Sequence, residues 1–145
     1  MNHLLANHFH ASEAFCLALG ACHRSLTPET VTQLEASQAR YRREAQRLEA
    51  ATLDLHPLER MGVAALLEAQ CGASQGIAWH LRSKLIRQDS EVAALAGDQD
   101  GAQHLENEAD ELEANVQALA NGVFAAQDLA EVIGGMMPMG QEVAS

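Results

Sequence analysis

Aromatic side chains are scarce in this sequence of 145 residues. They make up 3% of the chain, whereas alanine alone supplies 27 residues. Strands favour aromatic and β-branched side chains, and alanine has the highest helix propensity. The composition therefore predicts closely packed helices rather than sheets, and the length predicts one domain over residues 1–145.

Long apolar runs and paired cysteines are also missing. A transmembrane helix needs about 18 consecutive apolar residues, and no such run exists. The first 15 residues have neither a basic start nor an uninterrupted apolar stretch, so we expect no signal peptide. The three cysteines (Cys16, Cys22 and Cys71) are an odd number without a CxxC pair, which indicates reduced thiols. We therefore expect a cytoplasmic protein that has no membrane segment.

Basic residues are absent after Arg87. Residues 1–87 contain all nine Lys and Arg together with eight Asp and Glu, whereas residues 88–145 contain twelve acids and no base. The formal net charge is −11. Repulsion from phosphates makes direct nucleic-acid binding unfavourable, and a basic partner is favoured instead. The chain thus has a basic-containing part, 1–87, and an acidic part, 88–145.

Helix patterns fill most of the chain. Thr27 and Pro28 form a clear helix start, because the hydroxyl caps free N–H groups and proline fits the first helical position. The first three predicted helices cover residues 3–22, 28–55 and 58–96, the last with a break at 71–74. A fourth helix follows the turn at 97–101 and stops at Asn121–Gly122. A short helix at 124–133 precedes a methionine-rich tail (136–139). We therefore predict an all-α bundle of five to six helices.

Two of these helices are long and carry apolar residues at alternating spacings of three and four, as in a coiled coil. The first seam contains Val31, Leu34, Gln38, Tyr41, Ala45, Leu48, Thr52 and Leu55. The second seam contains Leu105, Ala109, Leu112, Val116, Leu119 and Val123. A seam of this length needs a facing helix, from the same chain or from a second copy. We predict self-association, as a homodimer, through Leu34, Tyr41, Leu48 and Leu55.

Small residues form a stripe on the third predicted helix. They are Gly62, Ala65, Ala69, Ala73 and Gly76, at spacings of three and four. Because small side chains bring helix backbones together, this stripe predicts a closely packed neighbour.

Residues 72–76 match the G-x-S-x-G motif of α/β-hydrolases, with Ser74 at the nucleophile position. That motif works where a strand enters a strained turn and exposes the serine hydroxyl above a sheet. Here the preceding residues are helical and the chain is too short for such a sheet. We predict that Ser74 is not catalytic and that the protein is not an enzyme.

His10, Glu13 and Cys16 are each three apart and could share one helix face as metal ligands. Ferritin-like bundles instead need Glu-x-x-His on two helices, and zinc fingers need other spacings. Neither pattern is present, so we predict no metal and no cofactor. A metal-binding bundle with His, Glu and Cys ligands, either a sensor or a degenerate ferritin-like protein, is the alternative function.

Five acids occur within eight residues of the fourth predicted helix. They are Glu106, Glu108, Asp110, Glu111 and Glu113, which we call the acidic face. Like charges at helical spacing repel one another, so a cation outside this helix is expected to compensate them. One source is the row of Arg40, Arg42, Arg43 and Arg47 on the second helix, in this chain or a second copy. The other source is a basic partner protein.

These patterns predict a non-enzymatic interaction protein, a small acidic helical inhibitor or adaptor. Its expected partner is a basic protein such as a nucleic-acid-binding complex. Phage and mobile-element inhibitors of host defence, including those of CRISPR-type complexes, have this small acidic character.

Overall fold

The computed structural model describes residues 2–136, which form four α-helices and no strand. Helix α1 spans Asn2–Arg24, α2 Pro28–Ala50, α3 Pro57–Leu95 and α4 Gln99–Met136. The all-α prediction is confirmed, but the described residues form four helices rather than five or six. None of these helices is long and apolar enough to cross a membrane. The methionine-rich tail after Met136 lies outside the described residues.

The helix count differs because both predicted interruptions lie inside continuous helices. At 71–74, the Ser74 hydroxyl donates to the Cys71 carbonyl at 2.9 Å within α3, instead of capping a new helix. Gly122 lies within α4, and Gly97, with φ 87°, is the only described residue of positive φ. The left-handed stop therefore occurs between α3 and α4, where the turn at 97–101 was predicted.

The predicted start of α2 at Thr27 and Pro28 is confirmed, and Thr30 adds a second capping bond. The Thr27 hydroxyl accepts from the Thr30 N–H at 3.2 Å, and the Thr30 hydroxyl accepts from the Thr27 N–H at 3.0 Å. This reciprocal capping satisfies backbone donors that the helix leaves free. The helix ends at Ala50, earlier than the predicted Leu55, and turns follow it.

The helices pack in chain order, α1 on α2, α2 on α3 and α3 on α4. The main core brings together Phe15, Ala18 and Cys22 of α1, Val31 and Leu34 of α2, and Ala78, Leu81 and Leu85 of α3. A second cluster joins Ala45 and Leu48 of α2 to Leu67 of α3. Since α3 and α4 are each about 57 Å long at 1.5 Å per residue, the shorter α1 and α2 cover only part of them.

The first seam is closed within the chain. Leu34, Tyr41 and Leu48 are buried, whereas Leu55 lies beyond the end of α2 and is 37% exposed. The polar members also find internal partners. The Gln38 amide contacts the Cys71 carbonyl at 3.5 Å, and the Thr52 hydroxyl donates to the Glu49 carbonyl at 2.6 Å.

Self-association stays a prediction, but its proposed residues need correction. Leu34, Tyr41 and Leu48 already pack against other helices of the same chain and present almost no surface to a second copy. The facing helices that the seam requires are α1 and α3.

Helix α4 approaches α3 over the predicted stripe of small residues. A Cβ atom added at Gly62 would lie 3.1 Å from Cγ2 of Ile133, and one added at Gly76 would lie 3.8 Å from Cδ2 of Leu119. The closest approach is at Gly72, where an added Cβ would lie 2.6 Å from Cγ2 of Val123. The close neighbour predicted for this stripe is therefore confirmed, and it is α4.

We expect Gly72→Ala to destabilise the protein by about 1–3 kcal/mol, because the new methyl group overlaps Val123 inside a packed interface. Gly122→Ala is the matched control, since nothing lies within 4 Å of its added Cβ. Alanine there should stabilise α4 by about 0.5–1 kcal/mol. Urea unfolding measures both changes, and equal effects of the two substitutions would contradict the close α3–α4 contact.

Candidate protein-interaction site on α4

The five acids of the acidic face lie in the N-terminal half of α4 and occupy two sides of it. Glu106, Asp110 and Glu113 are four and three residues apart, so they share one side. Glu108 and Glu111 are three apart and share another. Side chains at these spacings are neighbours, so each set accumulates negative charge.

Arg87 of α3 binds the first set at one end. Its Nη1 lies 2.5 Å from Oε2 of Glu106, and its Nη2 lies 2.9 Å from Oδ1 of Asp110. The hydrogen bond to Asp110 and the charges of both carboxylates raise the pKa of Arg87 above its usual value. Each carboxylate gives one oxygen to Arg87, and its second oxygen stays available to another donor.

Glu113 is bound by Ser83 and His80 of α3. The Ser83 side chain is completely buried and its hydroxyl donates to Oε1 of Glu113. His80 contacts the same oxygen through Nδ1 at 2.9 Å. The Ser83 hydrogen bond first, and His80 second, hold the pKa of Glu113 below its ordinary value. Glu113 is therefore ionised at neutral pH, and it links α4 to α3.

The predicted pairing of the acidic face with the arginines of α2 does not occur among residues 2–136 of the same chain. Pairing with a second copy stays a prediction. Arg47 binds Glu44 of its own helix at 2.8 Å. Arg40, Arg42 and Arg43 make no ion pair with any described residue. The sequence did contain a signal for the true partners, because His80 and Arg87 are seven residues apart and so lie on one side of α3.

The second set of acids has no such partner. Glu108 and Glu111 are exposed, and within residues 2–136 no ion pair involves them. The Asp110 side chain is also 67% exposed despite its bond to Arg87. These three carboxylates face solvent next to the end of the α3–α4 hairpin. Four further exposed acids surround that end, Asp89, Glu91, Asp98 and Asp100.

The candidate metal ligands are not brought together. His10 and Glu13 lie 3.9 Å apart on the exposed side of α1, and Cys16 is exposed as well. In the described part of the chain, no three His, Cys, Asp or Glu side chains are grouped as metal ligands would be.

Ser74 has none of the geometry of a nucleophile elbow. It lies in the interior of α3, is 6% exposed and donates its hydroxyl to the Cys71 carbonyl. The G-x-S-x-G match reflects small residues at a helix contact, since Gly72 and Gly76 both lie against α4.

No protein family, curated protein or solved structure matches this chain.

We expect Glu113→Gln to lower stability at pH 7, and to lower it progressively less as the pH falls below 4.5. Folding lowers the pKa of this carboxyl. The ionised carboxylate therefore stabilises the folded state at pH values above its pKa in the unfolded chain, near 4.5. This contribution is lost as the pH falls through the lower pKa of the folded state. The difference between parent and variant should therefore shrink on acidification.

Urea unfolding at pH 3, 5 and 7 measures this effect. Glu111→Gln is the control, because this exposed carboxylate has no bonded partner among residues 2–136. A parent–variant difference that stays constant over the three pH values would contradict the assigned role of Glu113.

Proposed function

We propose that this chain is a non-enzymatic interaction protein, a small acidic helical inhibitor or adaptor that docks the acidic face of α4 onto a basic partner protein. The observation that carries the proposal is the exposed position of Glu108, Asp110 and Glu111 on a helix that contains no Lys or Arg. A nucleic-acid-binding complex is the partner that fits best, because its basic surface is built to receive rows of negative charge.

The energetics of α4 support this proposal. Like charges three and four residues apart destabilise a helix by a few tenths of a kcal/mol per pair. Arg87 and His80 offset this cost for Glu106, Asp110 and Glu113, but not for Glu108 and Glu111. Exposed acids that contribute nothing to folding are free to serve binding, and a basic partner would supply the missing cations.

Electrostatic attraction would also give such an inhibitor a high association rate. With a net charge of −11, the chain attracts a basic surface over distances of about a Debye length, roughly 8 Å at physiological salt. Complementary charge raises association rates more than it raises affinity. An acidic helix can thus reach a nucleic-acid site early and occupy it, as the proposed phage or mobile-element inhibitor of a CRISPR-type defence complex would need to do.

The alternative, a metal-binding sensor or ferritin-like bundle, is supported by no observation in residues 2–136. His10, Glu13 and Cys16 lie exposed along one helix, and no second helix adds a ligand to them. We therefore propose no second function.

We expect the double variant Glu108→Gln/Glu111→Gln to associate with the basic partner about tenfold more slowly, with a weaker dependence on salt. The control Asp128→Asn/Glu131→Gln removes the same charge from the exposed far end of α4 and should leave the rate nearly unchanged. Melting temperatures of the parent and both variants should agree closely, because all four side chains are exposed.

The partner is obtained by immobilising the parent and both variants and identifying by mass spectrometry the host proteins that each retains. Basic proteins that bind the parent and the control, elute with 0.5 M salt and are lost from the acidic-face variant would support the proposal. Retention of the same proteins by all three chains, or retention that salt does not reduce, would overturn it.

A further inference from the structure

An apolar groove runs between α1, α3 and α4. It has a volume of about 500 Å³, within the range of ligand sites. Gly72, Ala73 and Gly76 of α3 form its floor. Leu19 of α1 forms one wall, and Leu119 and Phe124 of α4 form the other. The groove exists because α1 packs on α2 and α4 packs on α3, so the bundle stays open between α1 and α4.

Large apolar side chains at the edge of this groove face solvent. Phe124 is 62% exposed and Ile77 is 38% exposed. Both line the groove, so the apolar surface continues from its floor to its edges. A partner that covers these two side chains would remove apolar surface from water, which favours binding by about 25 cal/mol per Å².

The groove is continuous with one side of the acidic face. One stripe of α4 contains Glu106, Asp110, Glu113, Gln117, Ala120 and Phe124, at spacings of four, three, four, three and four. Ala120 and Phe124 line the groove, and His80, which binds Glu113, lies at its other end. A single surface therefore changes from apolar to acidic between Phe124 and Glu106 of α4, over about 27 Å.

We propose that this surface binds an amphipathic helix of the partner protein, with apolar side chains in the groove and Lys or Arg side chains over the carboxylates of Glu106 and Asp110. The inference rests on the proposed function and names the part of the basic partner that docks. Charge complementarity selects this occupant, because the acids continue the line of the groove. A helix with an apolar stripe and a basic end fits both the apolar groove and the acidic end of this surface.

The acids are also held in place before binding. Arg87, Ser83 and His80 of α3 hold the three carboxylates of α4 against α3. Arg87 binds one oxygen each of Glu106 and Asp110, so the second oxygen of each has no bond to Arg87. Carboxylates that are already ordered lose little conformational freedom on binding, so a preorganised site binds more tightly than a flexible one. The same ion pairs that attach α4 to α3 thus prepare the acidic end of the site.

A synthetic helical peptide of 18 residues tests this inference. The probe carries fluorescein, a leucine stripe along one half and lysines on the same side of the other half. One control peptide has glutamate for each lysine, and another has glutamine for each leucine. We expect the full chain to bind the probe, measured by fluorescence anisotropy, and to bind neither control peptide.

Two variants of the chain test the groove itself. Ala73→Phe fills the floor from an exposed position, and Phe124→Ala removes an exposed wall, so each should fold like the parent. We expect both to weaken binding of the probe at least about tenfold, as loss of a central apolar anchor does. Leu17→Ala is the control, since Leu17 is 68% exposed on α1 and does not line the groove; it should change binding less than about twofold.

Asp110→Lys separates failure of this inference from failure of the proposed function. If it abolishes binding of the lysine probe while Ala73→Phe and Phe124→Ala do not weaken it, the acidic face binds basic partners and the groove inference is wrong. If the probe binds the parent and Asp110→Lys equally at every salt concentration, both are wrong.

Two other occupants of the groove would also overturn the inference. A small apolar molecule is the occupant if Nile red binds the parent, is lost from Ala73→Phe, and is not displaced by the peptide. A second copy of the chain is the occupant if sedimentation velocity shows a dimer that Ala73→Phe converts to a monomer.

Discussion

The contact between α3 and α4 is the interaction on which the rest of the molecule depends. Helix α4 packs on α3 and makes no comparable contact with α1 or α2. Glycines at one end let Val123 and Ile133 approach the α3 backbone. The ion pairs of Arg87 and the contact between His80 and Glu113 hold the other end. Two different kinds of contact therefore share a single interface. Because α3 is the one described helix that packs closely on α4, a large part of the circumference of α4 is left for solvent or for a partner.

Some acidic side chains of α4 stabilise its contact with α3, and others are exposed without a partner. Glu113 is tied to a fully buried serine, so its negative charge belongs to the α3–α4 interface. Glu108 and Glu111 contact nothing charged among residues 2–136 and only add repulsion. Natural chains sit just above the stability they need, and exposed charges that cost stability persist where function uses them. The second set of acids is therefore the part of α4 whose presence folding does not explain.

The helix start at Thr27 and the stripe of small residues on α3 were predicted from the sequence, whereas the continuity of α3 and α4 and the ionic partners of α4 were not. Thr27 and Pro28 define the start of α2 because a cap needs only nearby residues. Gly72 and Gly122 suggested helix breaks because glycine has a low helix propensity, but no local rule shows that Val123 packs against Gly72. The ionic partners of α4 were missed for the same reason. Arg40, Arg43 and Arg47 form the more conspicuous basic row, yet α3 is the adjacent helix.

The sequence does not predict the groove, because the groove exists only where α1 and α4 do not pack against each other. Val116, Leu119 and Val123 of its lining belong to the second seam, and Ala73 and Gly76 belong to the stripe of small residues. Both patterns predict a packed helix, and only the separation of α1 from α4 leaves the groove open. This separation gives the proposed site its selectivity. An acidic surface alone attracts any basic protein, since exposed charges act at long range and tolerate many arrangements. An apolar groove in line with that surface discriminates among those proteins, because a basic segment without a matching apolar stripe would leave Phe124 and Ile77 in water.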